Sequence, residues 1–183
     1  MVKTKVQALI LAGMLIFGVS QAAMADMLSL GVSVPVKQDF KADDAEDVKS
    51  TSGFMLEVQL PVMVGLAYES YESKLDTSDE PTINDFSITT TMYDIFYTLD
   101  LSLVSFTLGA GVGETAVKGD LEKYFKKGKA SQFFWRIGVP VMPLFSIHAG
   151  QHNVKSKIEG EEGVSMEMDV DSTVTVLGVS VGF

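Results

Sequence analysis

No cysteine occurs in the 183 residues, so disulfides, thiolate metal sites and lipid attachment through an N-terminal Cys are all excluded. Arginine is nearly as scarce, with Arg136 the only one, and the chain holds one tryptophan, Trp135, and two histidines, His148 and His152. Basic charge is short overall, 14 Lys and Arg against 24 Asp and Glu, which argues against a nucleic-acid partner. Beyond the first residues there is no continuous apolar run of the roughly 20 residues that a spanning helix needs. Yet 46% of the chain is hydrophobic and the mean hydropathy is +0.24. Those apolar residues must be accommodated by something other than a membrane helix.

The N-terminus has a pattern of its own. Lys3 and Lys5 precede an apolar run from Ala8 to Val19, and Ala23-Met24-Ala25 supplies a small-x-small end. A charged start, an apolar middle and such an end make a secretory signal, with cleavage predicted before Asp26 and after Ala23 as the second choice. The apolar run is too short for a comfortable bilayer span. Residues 1–25 are therefore expected to be a signal peptide and 26–183 one domain, which contains every acidic residue of the chain.

Within that domain the apolar residues alternate. Val104, Phe106, Leu108, Ala110 and Val112 are separated by Ser105, Thr107, Gly109 and Gly111. Successive residues of a strand point to opposite faces, so this segment has one greasy face and one of small residues. The pattern recurs from Leu28 to Val36, Phe54 to Leu60, Val64 to Glu69, Tyr93 to Leu99, Phe133 to Val141, Phe145 to Gly150 and Thr175 to Phe183, making eight candidate strands. Short links fall near Pro61, Asp100-Leu101 and Met142-Pro143, and long polar links are predicted over 37–52, 72–85, 114–130 and 154–171.

An even strand number with short turns at one end and long loops at the other is the layout of an outer-membrane barrel. The all-β alternative is a water-soluble barrel of the lipocalin kind, which would turn its apolar face inward. The second face here is mostly Gly, Ser and Thr, including Gly31, Gly65, Gly109, Gly111, Gly138 and Gly178. Its charges are isolated and it is poor in the Lys and Glu of a solvated surface, and small residues suit the lumen of a narrow barrel. Aromatic residues gather toward both ends of the strands, Tyr97, Phe145 and Phe183 at one and Phe54, Tyr68, Phe133 and Trp135 at the other, as at two membrane interfaces. The expected fold is an eight-stranded antiparallel transmembrane up-and-down barrel, with long loops extracellular and short turns periplasmic.

The last strand, Val176-Leu177-Gly178-Val179-Ser180-Val181-Gly182-Phe183, resembles the C-terminal signal that outer-membrane barrels present to their assembly machinery. Gly178, Val181 and Phe183 match, while Val176 stands where a polar residue is usual. With the signal peptide at the other end, the chain looks like the small eight-stranded barrels of the OmpX/Ail type or the membrane domain of OmpA. That resemblance implies periplasmic chaperones and the barrel-assembly machinery as partners during biogenesis. It sets no function, because this architecture serves several.

Ionisable side chains on the inner face are the next candidates. Arg136 falls there near mid-strand, and Glu57, Glu69, Asp94 and His148 lie at comparable distances from their short turns. An isolated charge in a narrow lumen is costly unless paired. Arg136 is therefore expected to pair with one or more of the three carboxylates, joined by His148, as a network that either plugs the barrel or gates a narrow passage. A lipid A-modifying enzyme is the third reading. It needs a nucleophile, base and orienter near the outer rim, and only His152 is expected near that rim. No catalytic set, cofactor or metal site is predicted.

Among the long links, 114–130 alone carries excess positive charge, five Lys against three acids. Lys123, Tyr124, Phe125, Lys126, Lys127 and Lys129 mix basic with aromatic character, which suits the phosphates of lipopolysaccharide or a protein partner. The leading expectation is a non-enzymatic protein with a structural or surface-interaction role. A narrow solute channel and a lipid-modifying enzyme are the alternatives.

Overall fold

A computed structural model describes residues 28–41, 48–75, 86–101, 103–161 and 167–183. The signal peptide expected over 1–25 lies outside them. The described residues form nine strands: β1 (Ser29–Phe40), β2 (Val48–Gln59), β3 (Val64–Leu75), β4 (Phe86–Asp100), β5 (Ser105–Gly119), β6 (Gly128–Met142), β7 (Phe145–Glu159), β8 (Glu167–Asp169) and β9 (Ser172–Gly182). Each of β1 to β7 pairs antiparallel with its sequence neighbour, and β9 pairs with both β7 and β1, so the sheet closes. The three-residue β8 extends the line of β9 along β7, where Val170 N–H donates to the Ser156 carbonyl at 2.7 Å. The barrel thus has eight staves. Among the described residues no helix is long and apolar enough to cross a membrane; the exposed apolar surface is carried by strands.

The short links lie where the alternation stops. In the β2–β3 turn, Leu60 N–H donates to the Val64 carbonyl at 2.8 Å, and Met63 adopts φ 65°. Leu101 N–H bonds the Val104 carbonyl at 2.8 Å between β4 and β5, and Pro143-Leu144 connects β6 to β7. The links expected to be long are shorter than predicted, because the strands continue into them. Strands β4 to β7 each run 15 residues, whereas about 9–11 suffice to cross a bilayer.

That surplus lies at the long-loop end, and there the wall changes polarity. Nearer the short turns the outer face is apolar: Leu30, Val32, Val34, Leu56, Leu66, Tyr93, Ile95, Leu108, Phe133, Ile137, Ile147 and Leu177 are all exposed. The inner face at that level buries Ser33, Glu57, Thr98, Thr107 and Arg136. Further out the pattern inverts. Lys37, Asp39, Lys129, Lys155 and Lys157 face outward, while Ile88, Val117, Ile158 and Val170 form an internal apolar cluster with Phe40, Leu75, Phe86, Leu121, Phe125 and Met168 packed against it. A lipid-facing belt with a polar lumen therefore continues into a wall built like a water-soluble barrel. A second apolar group, Met55, Tyr71, Met92, Ala130, Val154, Val174 and Val176, fills the interior.

Candidate functional site

Alternation puts the charged residues inside, and closure of the sheet brings distant strands together across the lumen. Arg136 on β6 meets Glu57 on β2: Nη1 lies against Oε2, with both side chains more than nine-tenths buried. His148 on β7 reaches the same carboxylate, Nε2 to Oε1 3.2 Å, and the same nitrogen is 2.7 Å from Ser33 Oγ. The guanidinium also lies over two rings, 5.1 Å from the centroid of Phe96 and 5.2 Å from that of Phe134. A delocalised, weakly hydrated cation suits contact with two rings better than an ammonium would.

Glu69 and Asp94 stand apart from Arg136 in a second group. Glu69 Oε1 is 3.0 Å from His152 Nδ1, and both residues are 1% exposed. Asp94 Oδ1 accepts a bond from Gln132 Nε2 at 2.5 Å. His152 stacks on Phe134 with centroids 4.4 Å apart. The expected rim position of His152 is thus corrected: its strand continues past the membrane-facing belt, and its ring is buried in the lumen. Phe134 joins the two groups, with Arg136 near its ring and His152 stacked on it.

Phe96, Phe134 and Gln132 were not singled out from the sequence. The available signal was parity, since each shares its strand face with Asp94 or Arg136. Two inward glycines explain how the rings fit. A Cβ at Gly65 would collide with the ring of Phe96, and one at Gly109 with the ring of Phe134. The small face is the floor on which these rings lie.

On the short-turn side the first group roofs a small cavity of about 60 Å³, lined among others by Ser29, Gln59, Asp100 and Ser180. Farther in, the two apolar groups and the second polar group occupy the lumen. A hydrolytic relay needs its base to contact nucleophile and orienter through different ring nitrogens. Here Ser33 and Glu57 both meet Nε2 of His148, and Ser146 is engaged with Ser180 at 2.6 Å. Among the described residues no three His, Asp or Glu side chains converge to hold a metal ion.

The basic segment after β5 folds back over the barrel mouth. A 3-10 turn spans Glu122–Tyr124. Lys126 N–H donates to the Glu159 carbonyl at 2.9 Å, and Glu161 N–H to the Tyr124 carbonyl at 2.8 Å. Phe125 packs inward against the upper apolar cluster, while Tyr124 is exposed with Lys123 Nζ 4.9 Å from its ring centroid. Lys127 pairs with Glu114 at 3.3 Å. Lys129 lies on β6 opposite Lys157. Gly178 faces the lumen beside Ser33 and His148, whereas Val181 and Phe183 are exposed on the belt.

No protein-family model matches the chain, and no curated protein resembles it significantly. Solved structures do. Neisserial surface protein A superposes with a TM-score of 0.53 at 16% identity, covering 86% of this chain and 97% of that one. The outer membrane protein AlkL, determined in lipid bilayers, gives 0.55 at 11% identity, covering 86% and 90%. Escherichia coli outer membrane protein W gives 0.53 at 9% identity, covering 86% and 98%. This chain has the fold of the small outer-membrane β-barrels. At such identities the likeness extends to architecture and stops short of any site, so the two lumen groups and the rim segment must be judged on this chain's own residues.

Proposed function

We propose that this chain is a non-enzymatic protein of the bacterial outer membrane, with its long-loop end outward, and that it works through its outer rim. The observation that carries the reading is the filled interior: two polar groups and two apolar clusters occupy the lumen from the short-turn cavity to the mouth. A barrel filled in this way offers its partners an external surface. On that surface Lys123, Tyr124, Lys126, Lys127 and Lys129 stand above the belt and suit lipopolysaccharide phosphates, with Phe125 anchoring the segment from within. Gly178 and Val181 on β9, with Phe183 directly after it, would serve the barrel-assembly machinery.

Two measurements test this. Purified protein in planar bilayers is expected to show no ohmic single-channel conductance, and steady conductance would favour the narrow-channel reading instead. Replacing Lys123, Lys126, Lys127 and Lys129 with Ser is expected to weaken lipopolysaccharide binding in a salt-dependent manner. Binding that is unchanged would remove the rim from the proposal.

A further inference from the structure

One seam of the barrel wall is not stitched along its whole length. β1 pairs with β2 only from Ser29↔Gln59 to Ser33↔Met55. Beyond that, β1 continues to Phe40 along β9 and β2 begins at Val48 along β3, each fully paired on its other side apart from local register shifts. Among the described residues, 34–40 and 48–54 therefore face one another with no ladder between them. In an antiparallel sheet alternate residues direct both backbone groups to one neighbour, so the seam-facing backbone groups of both strands have no ladder partner across it.

The sequence accounts for the parting. Pro35 brings no N–H to either neighbour, and the register with β9 shifts between Pro35 and Lys37. A bulge there bends β1 and increases its twist. On the opposite side Gly53 adopts φ 153°, and a Cβ at that position would collide with Ser70 and Tyr71. Both banks of the seam are thus irregular at the same height, where Val34, Val36 and Phe54 mark the upper part of the apolar belt.

A side chain bridges the seam from within. Gln38, on β1 and 4% exposed, donates from Nε2 to Ser172 Oγ at 3.1 Å and accepts at Oε1 from Ser73 Oγ on β3. Ser73 in turn is 3.3 Å from Thr51 Oγ1 on β2. One amide therefore ties β1 and β9 to the β2–β3 hairpin where the backbone does not.

We propose that the outer half of the β1–β2 seam is a conformational joint, able to part while the inner half stays zipped, and that the Gln38 side chain is the latch that holds it closed. Opening is confined to the ladder-free length, because pairing from Ser29 to Ser33 resists it. Closure depends on few bonds, so the open form is reached at lower free energy than unfolding of the barrel.

The absence of native cysteine allows clean paired labelling. Spin labels at Val34→Cys and Phe54→Cys, outward on either side of the seam, are compared in lipid bilayers with labels at Leu30→Cys and Val58→Cys, which face each other in the zipped half. The seam pair is expected to give a broader distance distribution with a longer component. Gln38→Ala is expected to raise that component about fivefold, the scale of one lost buried hydrogen bond. A seam distribution as narrow as that of the zipped pair would overturn the joint. A distribution unchanged by Gln38→Ala would overturn the latch. Amide exchange of the unlabelled, unmutated protein gives a check that needs no variant: the seam-facing amides within 34–40 and 48–54 should exchange at least about tenfold faster than the amides of 29–33 and 55–59 that face the same seam. Equal protection would reject the joint as well.

Discussion

His152 stacks on Phe134 inside the lumen, with ring planes 11° from parallel, and its Nδ1 lies 3.0 Å from Glu69 Oε1. The contact joins residues that parity alone would only have placed on one face. The carboxylate holds the imidazole's edge and the phenyl ring holds its face, so both contacts depend on one orientation. His152→Ala should remove the stacking, worth about 0.5–1.5 kcal/mol, together with the ion-pair contact to the buried Glu69 carboxylate. Unfolding in urea, followed by heat-modifiable gel migration from lipid vesicles, measures the loss. Glu69→Gln in the same background should cost much less than in the wild type, because its partner is already gone. Fully additive losses would show that the two side chains do not act together.

Arg136 and Glu57 provide the sharper test of the lumen. Removing one member of a buried ion pair strands the other, at about 3–5 kcal/mol. Arg136→Ala should therefore destabilise the barrel strongly. Arg136→Met combined with Glu57→Leu should recover most of the loss, since apolar replacement of a buried pair is commonly neutral or better. A double variant as unstable as the sum of its parts would mean that the pair is not what Arg136 contributes. Its contacts with the rings of Phe96 and Phe134 would then be the remaining candidate.

Much of this was legible in the chain because a period of two is unforgiving: once Phe106 and Leu108 face lipid, Thr107 and Gly109 cannot. Arg136, Glu57 and His148 were placed inside by that rule alone. The partner assignments were not legible. Which carboxylate meets Arg136 depends on the stagger of strands across the closed sheet, which local pattern does not encode. The upper wall was misread for a different reason. Val154, Ser156 and Ile158 alternate with Lys155 and Lys157 as a strand should, but with the apolar set inward, opposite in sense to the lower half. Charge on the outer face there resembled loop composition, and the strand was cut short where its surroundings change from lipid to water.

The inward glycines have a steric duty that substitution should expose. Gly65→Ala would drive a methyl into the Phe96 ring, and Gly109→Ala would do the same to Phe134. Overpacking of this kind costs about 1–3 kcal/mol. Combining Gly65→Ala with Phe96→Leu should return part of that stability by vacating the space. Comparison of unfolding midpoints for the two single variants and the double decides the matter, and a double variant no better than its weaker parent would count against the floor-and-ring arrangement.

Inversion of polarity along the wall makes opposite demands on outward positions of neighbouring height. Ile95 is 58% exposed within the belt, so Ile95→Arg should cost about 2–4 kcal/mol near the bilayer midplane. Ser131 is outward and exposed on β6, one outward position beyond Phe133 toward the mouth, and Ser131→Arg should be close to neutral. Inward, the order reverses. Ile158→Asp, in the upper cluster, should be severely destabilising because it buries an unpaired charge among Ile88, Val117 and Val170. Unfolding midpoints in vesicles of one lipid composition compare all three variants directly. Equal tolerance of Arg at 95 and 131 would mean that the belt does not end between these levels, and the soluble-type upper wall would lose its basis.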